Sequence, residues 1–280
     1  MMFYHLIRAE FLKTFLKKRT YLGFILVTLV IPLIILAFQS EGSRFLRMAT
    51  RNLSNDFLIL GNLFNGWVVS YQIMMALWVH VPLLITFVAG DMLAGEATAG
   101  TYRLILTRSV PRTTILFVKF IVTFFYTMIF VIFLGVLSVG LSVMILGGGD
   151  LLIVRKGILV LPADDLLWRF SFAYLLAIWS MMSVASIAFF TSSFVENAIG
   201  PIVATMGLII MFTILTFLPI EALEPAREYM FTYHMAVWQK AFDDPIPWHD
   251  IVRSLINLSM YTVCAVGGAW IVFVRKDILS

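Results

Sequence analysis

Two hundred and eighty residues, 61% hydrophobic and 13% charged, with a mean hydropathy of +0.97, lie far outside soluble usage, in which about a quarter of residues are charged. So much apolar and aromatic surface excludes a water-soluble enzyme, a disordered tail and a fibrous repeat. The formal charge of +4 comes without a dense Lys/Arg face, which argues against nucleic acid, and the single cysteine, Cys264, can form neither an intrachain disulfide nor a cysteine metal cluster. The chain reads as an all-α integral membrane protein with one transmembrane domain over 1–280.

In the leader, Phe3, Ile7, Phe11 and Phe15 recur every four residues, while Arg8, Lys13, Lys17 and Lys18 fall mostly off that stripe. This spacing predicts an interfacial amphipathic helix over 1–19, with its apolar face in the headgroup boundary and its bases toward anionic lipid. A bilayer core about 30 Å thick needs about 20 apolar residues per helix. Six windows meet that demand, at 21–38, 67–89, 120–146, 170–194, 199–218 and 255–274. The first has no small-x-small pattern at its end, so it is expected to be retained rather than cleaved. The second carries His80, near Pro82; apart from Cys264 and the tyrosines it is the one ionisable group within the six windows. His80 is therefore a candidate interior polar site, a satisfied interior histidine being favoured over a proton relay.

The loop at 90–112 is the most informative stretch. Gly100 permits a turn, Thr101 can cap a helix, Leu104 and Leu106 supply apolar contacts, and Val110-Pro111 stops the segment, which together predict a short helix parallel to the membrane. The turn at 192–197 is too short for a domain. In the last long loop, 219–254, helical spacing over 226–242 predicts short helices, broken by Asp243-Asp-Pro-Ile-Pro-Trp248. Trp67, Trp168, Trp238, Trp248 and Trp270 fall near span ends, as interfacial anchors do. Met230, His234, Met235 and His249 could serve as soft copper ligands, but their spacing fits packing better, and no metal site is assigned.

Lys and Arg set the orientation. With both termini in the cytoplasm, eleven of the twenty bases occupy about 55 cytoplasmic residues and nine occupy about 85 outer ones. Eleven of the sixteen acids then fall in outer loops. The chain has no Gly-x-x-x-x-Gly-Lys-Ser/Thr loop for nucleotide phosphates, and neither His-Glu-x-x-His nor Gly-x-Ser-x-Gly occurs. No catalytic or cofactor-binding residue is assigned, and an enzyme is not expected.

Gly95-Glu96, Gly100-Thr101, Leu104, Leu106, Pro111-Arg112 and Lys119, with Phe273-Val-Arg-Lys-Asp277 at the end, make the sequence similar to type-2 ABC exporter permeases. The matching motifs cover some thirty residues, and Tyr102 and Thr107 stand where the family varies. The resemblance implies a six-span permease whose leader is an elbow helix and whose segment 94–107 is a coupling helix docked on a separate ATPase. Gly95, Glu96, Gly100, Thr101, Arg103, Leu104 and Leu106 would carry that contact, Glu96 being the first choice for a polar one. It also implies two ATPase subunits, which bind ATP and Mg, a second permease that is a copy of this chain or a related partner, and the plasma (inner) membrane with both termini cytoplasmic. Glu96 and Arg103 could equally be solvated loop charges. The competing functions are a non-transporting membrane scaffold or assembly factor associated with an ATPase and, less favoured because the spans carry so few ionisable groups, an ion-coupled secondary carrier.

Overall fold

The computed structural model describes residues 2–49, 64–100, 110–154, 158–195, 197–218 and 220–275. The leader forms α1 (Met2–Leu16), followed by a 3-10 turn (Lys18–Tyr21) and α2 (Leu22–Ala49). Then come α3 (Gly66–Leu77), α4 (His80–Ala89), α5 (Asp91–Thr98), α6 (Arg112–Leu146), strands β1 (Leu151–Val154) and β2 (Ile158–Leu161), α7 (Ala163–Phe194) and α8 (Ile199–Phe217). After a 3-10 turn at Glu221–Leu223 follow α9 (Glu224–Arg227), α10 (Phe231–Met235), a second 3-10 segment (Ala236–Phe242) and α11 (Trp248–Arg275).

Five helices are long and apolar enough to cross a membrane, at Lys18–Gly42, Arg112–Leu146, Ala163–Phe194, Ile199–Phe217 and Trp248–Arg275, and the molecule is a multi-pass α-helical membrane protein. The stretch expected to be a second straight span is instead the pair α3 and α4, bent by 57°. Pro82 explains the position of the break: its ring collides with the carbonyl four residues back, at Trp78, where α3 ends. Pro32 lies inside an unbroken α2, so a proline alone does not dictate such a bend.

The all-α expectation fails at 151–161. There two apolar runs of four residues pair antiparallel, with Leu151 opposite Leu161 and Val154 opposite Ile158. Gly147, at φ +77°, ends α6, and Gly149, at φ +154°, turns the chain toward the hairpin. Asn65 fixes this corner: its Oδ1 accepts from the Trp67 and Val68 amides to cap α3, while its Nδ2 donates to the Asp150 carbonyl at 2.7 Å.

At the centre stands α7, against which α4, α6, α8, α11 and the Ala236–Phe242 segment pack. Its small residues, Ser180, Ser183, Ala185, Ser186 and Ala188, are buried and let neighbouring backbones come close. Their hydroxyls are satisfied within the bundle, Ser180 and Ser186 on their own helix and Ser183 on the Leu258 carbonyl of α11 at 2.9 Å.

Two expectations about aromatic residues are corrected by this packing. Trp238 is no interfacial anchor: it is fully buried beside Tyr71, Trp78 and Phe242. Trp168, Trp248 and Trp270 are exposed, and Trp67 leans on Phe170. The leader's stripe likewise turns toward protein rather than lipid. Ile7, Phe11 and Phe15 pack on the cluster of Val88, Met92, Leu93, Leu116 and Tyr126, and only Phe3 of the four is exposed. Besides Phe3, α1 leaves Tyr4, Leu12 and Leu16 outward.

Candidate functional site

The ends of α1 and α4, all of α5, the start of α6 and the end of α7 meet at one end of the bundle. Lys13 lies in the last turn of α1, and Lys17 follows the helix in an extended conformation. On α5, Asp91 lies in the first turn, and a Cβ on Gly95 would stand 2.5 Å from its Oδ1. Gly95 thus leaves the Asp91 carboxylate room to lie along the helix. That carboxylate takes Lys17 Nζ at 2.8 Å and Arg19 Nη1 at 3.2 Å. Glu96, only 2% exposed, receives the ammonium groups of Lys13 and of Lys119, the latter at 2.9 Å. Lys119, on α6 and equally buried, also holds Glu10 of the leader.

Burying an ion costs several kcal/mol, which only close, hydrogen-bonded partners offset. Each inner carboxylate here is met by two cations, and Lys119 by two carboxylates. The pairs join residues 23 to 109 positions apart, so they fix how leader, α5 and α6 sit together.

Hydrogen bonds from α7 and the turn behind it anchor α5 at both ends. Gly90 precedes α5 and has no side chain to cap it. Ser192 supplies the cap from another helix: its Oγ accepts from the Leu93 amide at 3.1 Å and the Ala94 amide at 2.9 Å, and donates to the Gly90 carbonyl at 2.6 Å. At the other end Thr98 Oγ1 accepts from the Ala198 amide at 3.1 Å. Gly100, at φ +66°, then takes the left-handed conformation that ends a helix.

The short helix Asp91–Thr98 overlaps the start of the expected 94–107, and Gly100 follows it. Thr101, Arg103, Leu104 and Leu106 lie outside the described residues. Gly95 and Glu96 come together with the leader, but Glu96 is engaged inside the chain and is not a solvated loop charge. His80 is not interior. It lies exposed at the α3/α4 bend, with Nδ1 3.0 Å from the Ala76 carbonyl. Sequence reasoning missed Glu10, Asp91 and Ser192. The signal for Glu10 was a lone acid in a basic leader; nothing local marked Ser192.

At the opposite end, Arg169 of α7 donates to the Ala241 and Asp243 carbonyls at 3.2 and 2.9 Å, fastening the last long loop. His234 is buried there, with Nδ1 3.1 Å from Ser254 Oγ and Nε2 2.7 Å from the Glu228 carbonyl. Burial holds its pKa below the ordinary 6.5, and the charges of Lys240 and Arg253 add to that, against the Glu228 hydrogen bond and charge. The neutral ring thus donates through Nε2 and accepts from Ser254 through Nδ1, which leaves no ring nitrogen for copper. His249 is exposed beside Asp250. Among the described residues no three His, Cys, Asp or Glu converge to hold a metal ion.

No curated protein matches the chain. Residues 33–279, which include α5, Lys119 and the last long loop, match a family described as "Protein of unknown function (DUF2705)", and the chain belongs to that family.

Proposed function

We propose that this chain is the transmembrane subunit of an ATP-driven ABC exporter, forming the translocation path and taking its power from a separate ATPase that binds ATP and Mg. On this reading the bent pair α3/α4 counts as one span of six, both termini face the cytoplasm of the plasma (inner) membrane, and two copies surround one path. The chain itself is a permease and not an enzyme.

The observation that carries the reading is the fastening of α5. A helix of eight residues, directly after the second apolar stretch, is bound by ion pairs to the leader and α6 and by hydrogen bonds to the end of α7 and the turn behind it. A push delivered beyond Gly100 would reach several helices at once, as coupling of nucleotide-driven closure to the bundle requires. Glu96 then acts inside the permease as the strut of α5, and the ATPase contact falls to the segment after Gly100, with Thr101, Arg103, Leu104 and Leu106.

The test is to change Leu104 or Leu106 to Asp, which puts an unpaired charge in the docking contact and costs on the order of 2 to 5 kcal/mol of docking. Both variants are expected to reach the membrane at normal levels while losing co-purified ATPase or its transport-linked turnover. Normal association and turnover would remove the proposed contact.

A further inference from the structure

The ion pairs at the end of α5 floor an open cleft of about 430 Å³, lined by Lys13, Lys17, Lys18, Arg19, Asp91 and Glu96 among others, a volume within the range of about 300–1,000 Å³ typical of small-ligand sites. We propose that this cleft binds a phosphate-bearing anion, supplied by a phospholipid headgroup or by free phosphate, between the Lys13–Arg19 bases and the α5 wall. The inference does not depend on an ATPase partner.

Three observations carry it. First, the charges do not balance: among the described residues five cations (Lys13, Lys17, Lys18, Arg19, Lys119) stand with three carboxylates (Glu10, Asp91, Glu96), a surplus of two positive charges. Second, the signs are layered. The Asp91 and Glu96 side chains are 9% and 2% exposed, whereas those of Lys13, Lys17 and Arg19 are 40%, 37% and 67% exposed, so the field at the mouth is positive. Lys18 is exposed too, and among the described residues no carboxylate lies within 4 Å of it. Third, the cleft lies beside the start of the first helix long and apolar enough to cross a membrane. Lys18 begins the first membrane-crossing stretch, and the outward Leu12 and Leu16 give the leader apolar contact with the acyl boundary. Lys and Arg are suited to this ligand because ammonium and guanidinium groups make charge-assisted hydrogen bonds to phosphate oxygens.

The experiment uses the full chain in nanodiscs of phosphatidylcholine, with or without phosphatidylglycerol, and counts retained lipid by native mass spectrometry. Lys18→Gln/Arg19→Gln is compared with Arg8→Gln, which removes an exposed base of the leader that does not line the cleft. We expect selective retention of phosphatidylglycerol, weakened about ten- to thirtyfold in the double variant and unchanged in Arg8→Gln. The single Lys18→Gln change, which touches no ion pair, is expected to give a smaller loss in the same direction at normal yield. Competition by millimolar inorganic phosphate, together with phosphate binding in lipid-free detergent, would identify the soluble source of the same anion. No preference for phosphatidylglycerol and no phosphate binding, equal loss in Arg8→Gln, or variants that lose a protein partner while keeping the lipid would each overturn the site.

Discussion

Where α6 begins, buried carboxylates are each gripped by two cations, and helices from distant parts of the chain are joined through charge. Where α6 ends, the buried contacts are aromatic: Trp238, Phe242, Phe170 and Tyr71 interlock, Arg169 reaches backbone carbonyls, and His234 bridges Ser254 to the Glu228 carbonyl, while the ion pairs of that end, Arg253–Glu228 at 2.6 Å and Lys240–Asp250 at 3.4 Å among them, keep their carboxylates exposed. Buried ion pairs hold only while each charge keeps its partner, so an end built from them is sensitive to the loss of a single charge. Interlocked rings have one good arrangement and resist displacement. The difference makes the α5 end depend on charge and the hairpin end on packing.

The largest effect that separates the two ends is expected at Lys119. Lys119→Met removes the cation that Glu10 shares with the buried Glu96, and a broken buried pair costs about 3–5 kcal/mol. A strong fall in thermal midpoint and in membrane yield is expected, partly recovered when Glu10→Gln is added. An unchanged midpoint would mean that the charged end is not held by its charges. Ser192→Ala comes next. It removes the cap shared by the Leu93 and Ala94 amides, at a cost of about 1–3 kcal/mol, and hydrogen exchange should speed up in α5 while the hairpin end stays protected.

The smallest effect is a pH dependence confined to the opposite end. The folded loop disfavours charged His234, so the contribution of that bridge is complete above the ordinary pKa of 6.5 and declines as pH falls below it, where the unfolded segment takes up the proton first. Exchange across 220–242, corrected for intrinsic chemistry, should therefore quicken between pH 7.5 and 5.5. His234→Asn should flatten that change, and the ion cluster, which contains no histidine, should not follow it. A parallel change at α5 would blur the distinction between the ends.

The membrane class and five of the crossing helices were legible because apolar runs of about 20 residues are dictated by lipid thickness alone. The bend at Trp78 was not, although Pro82 marked it, since Pro32 sits in a continuous helix and only tertiary packing distinguishes the two. The hairpin at 151–161 escaped because two four-residue apolar runs carry no period of their own. At the site, Gly95, Glu96 and Gly100 stood out as a local pattern, but their partners did not. Glu96 meets Lys13 from 83 residues away, and Ser192 caps α5 from another helix, contacts that a single sequence cannot signal. The leader's stripe was legible as a stripe, yet spacing alone does not say whether Phe11 and Phe15 face lipid or Tyr126.

The most direct measurement is the native mass of the wild-type complex, affinity-purified in mild detergent from the membrane in which the chain is naturally made. The account predicts two copies of this chain with two copies of an ATPase whose turnover changes when the chain is present. A chain that purifies without any ATPase, or beside an ATPase whose turnover is indifferent to it, would contradict the permease reading.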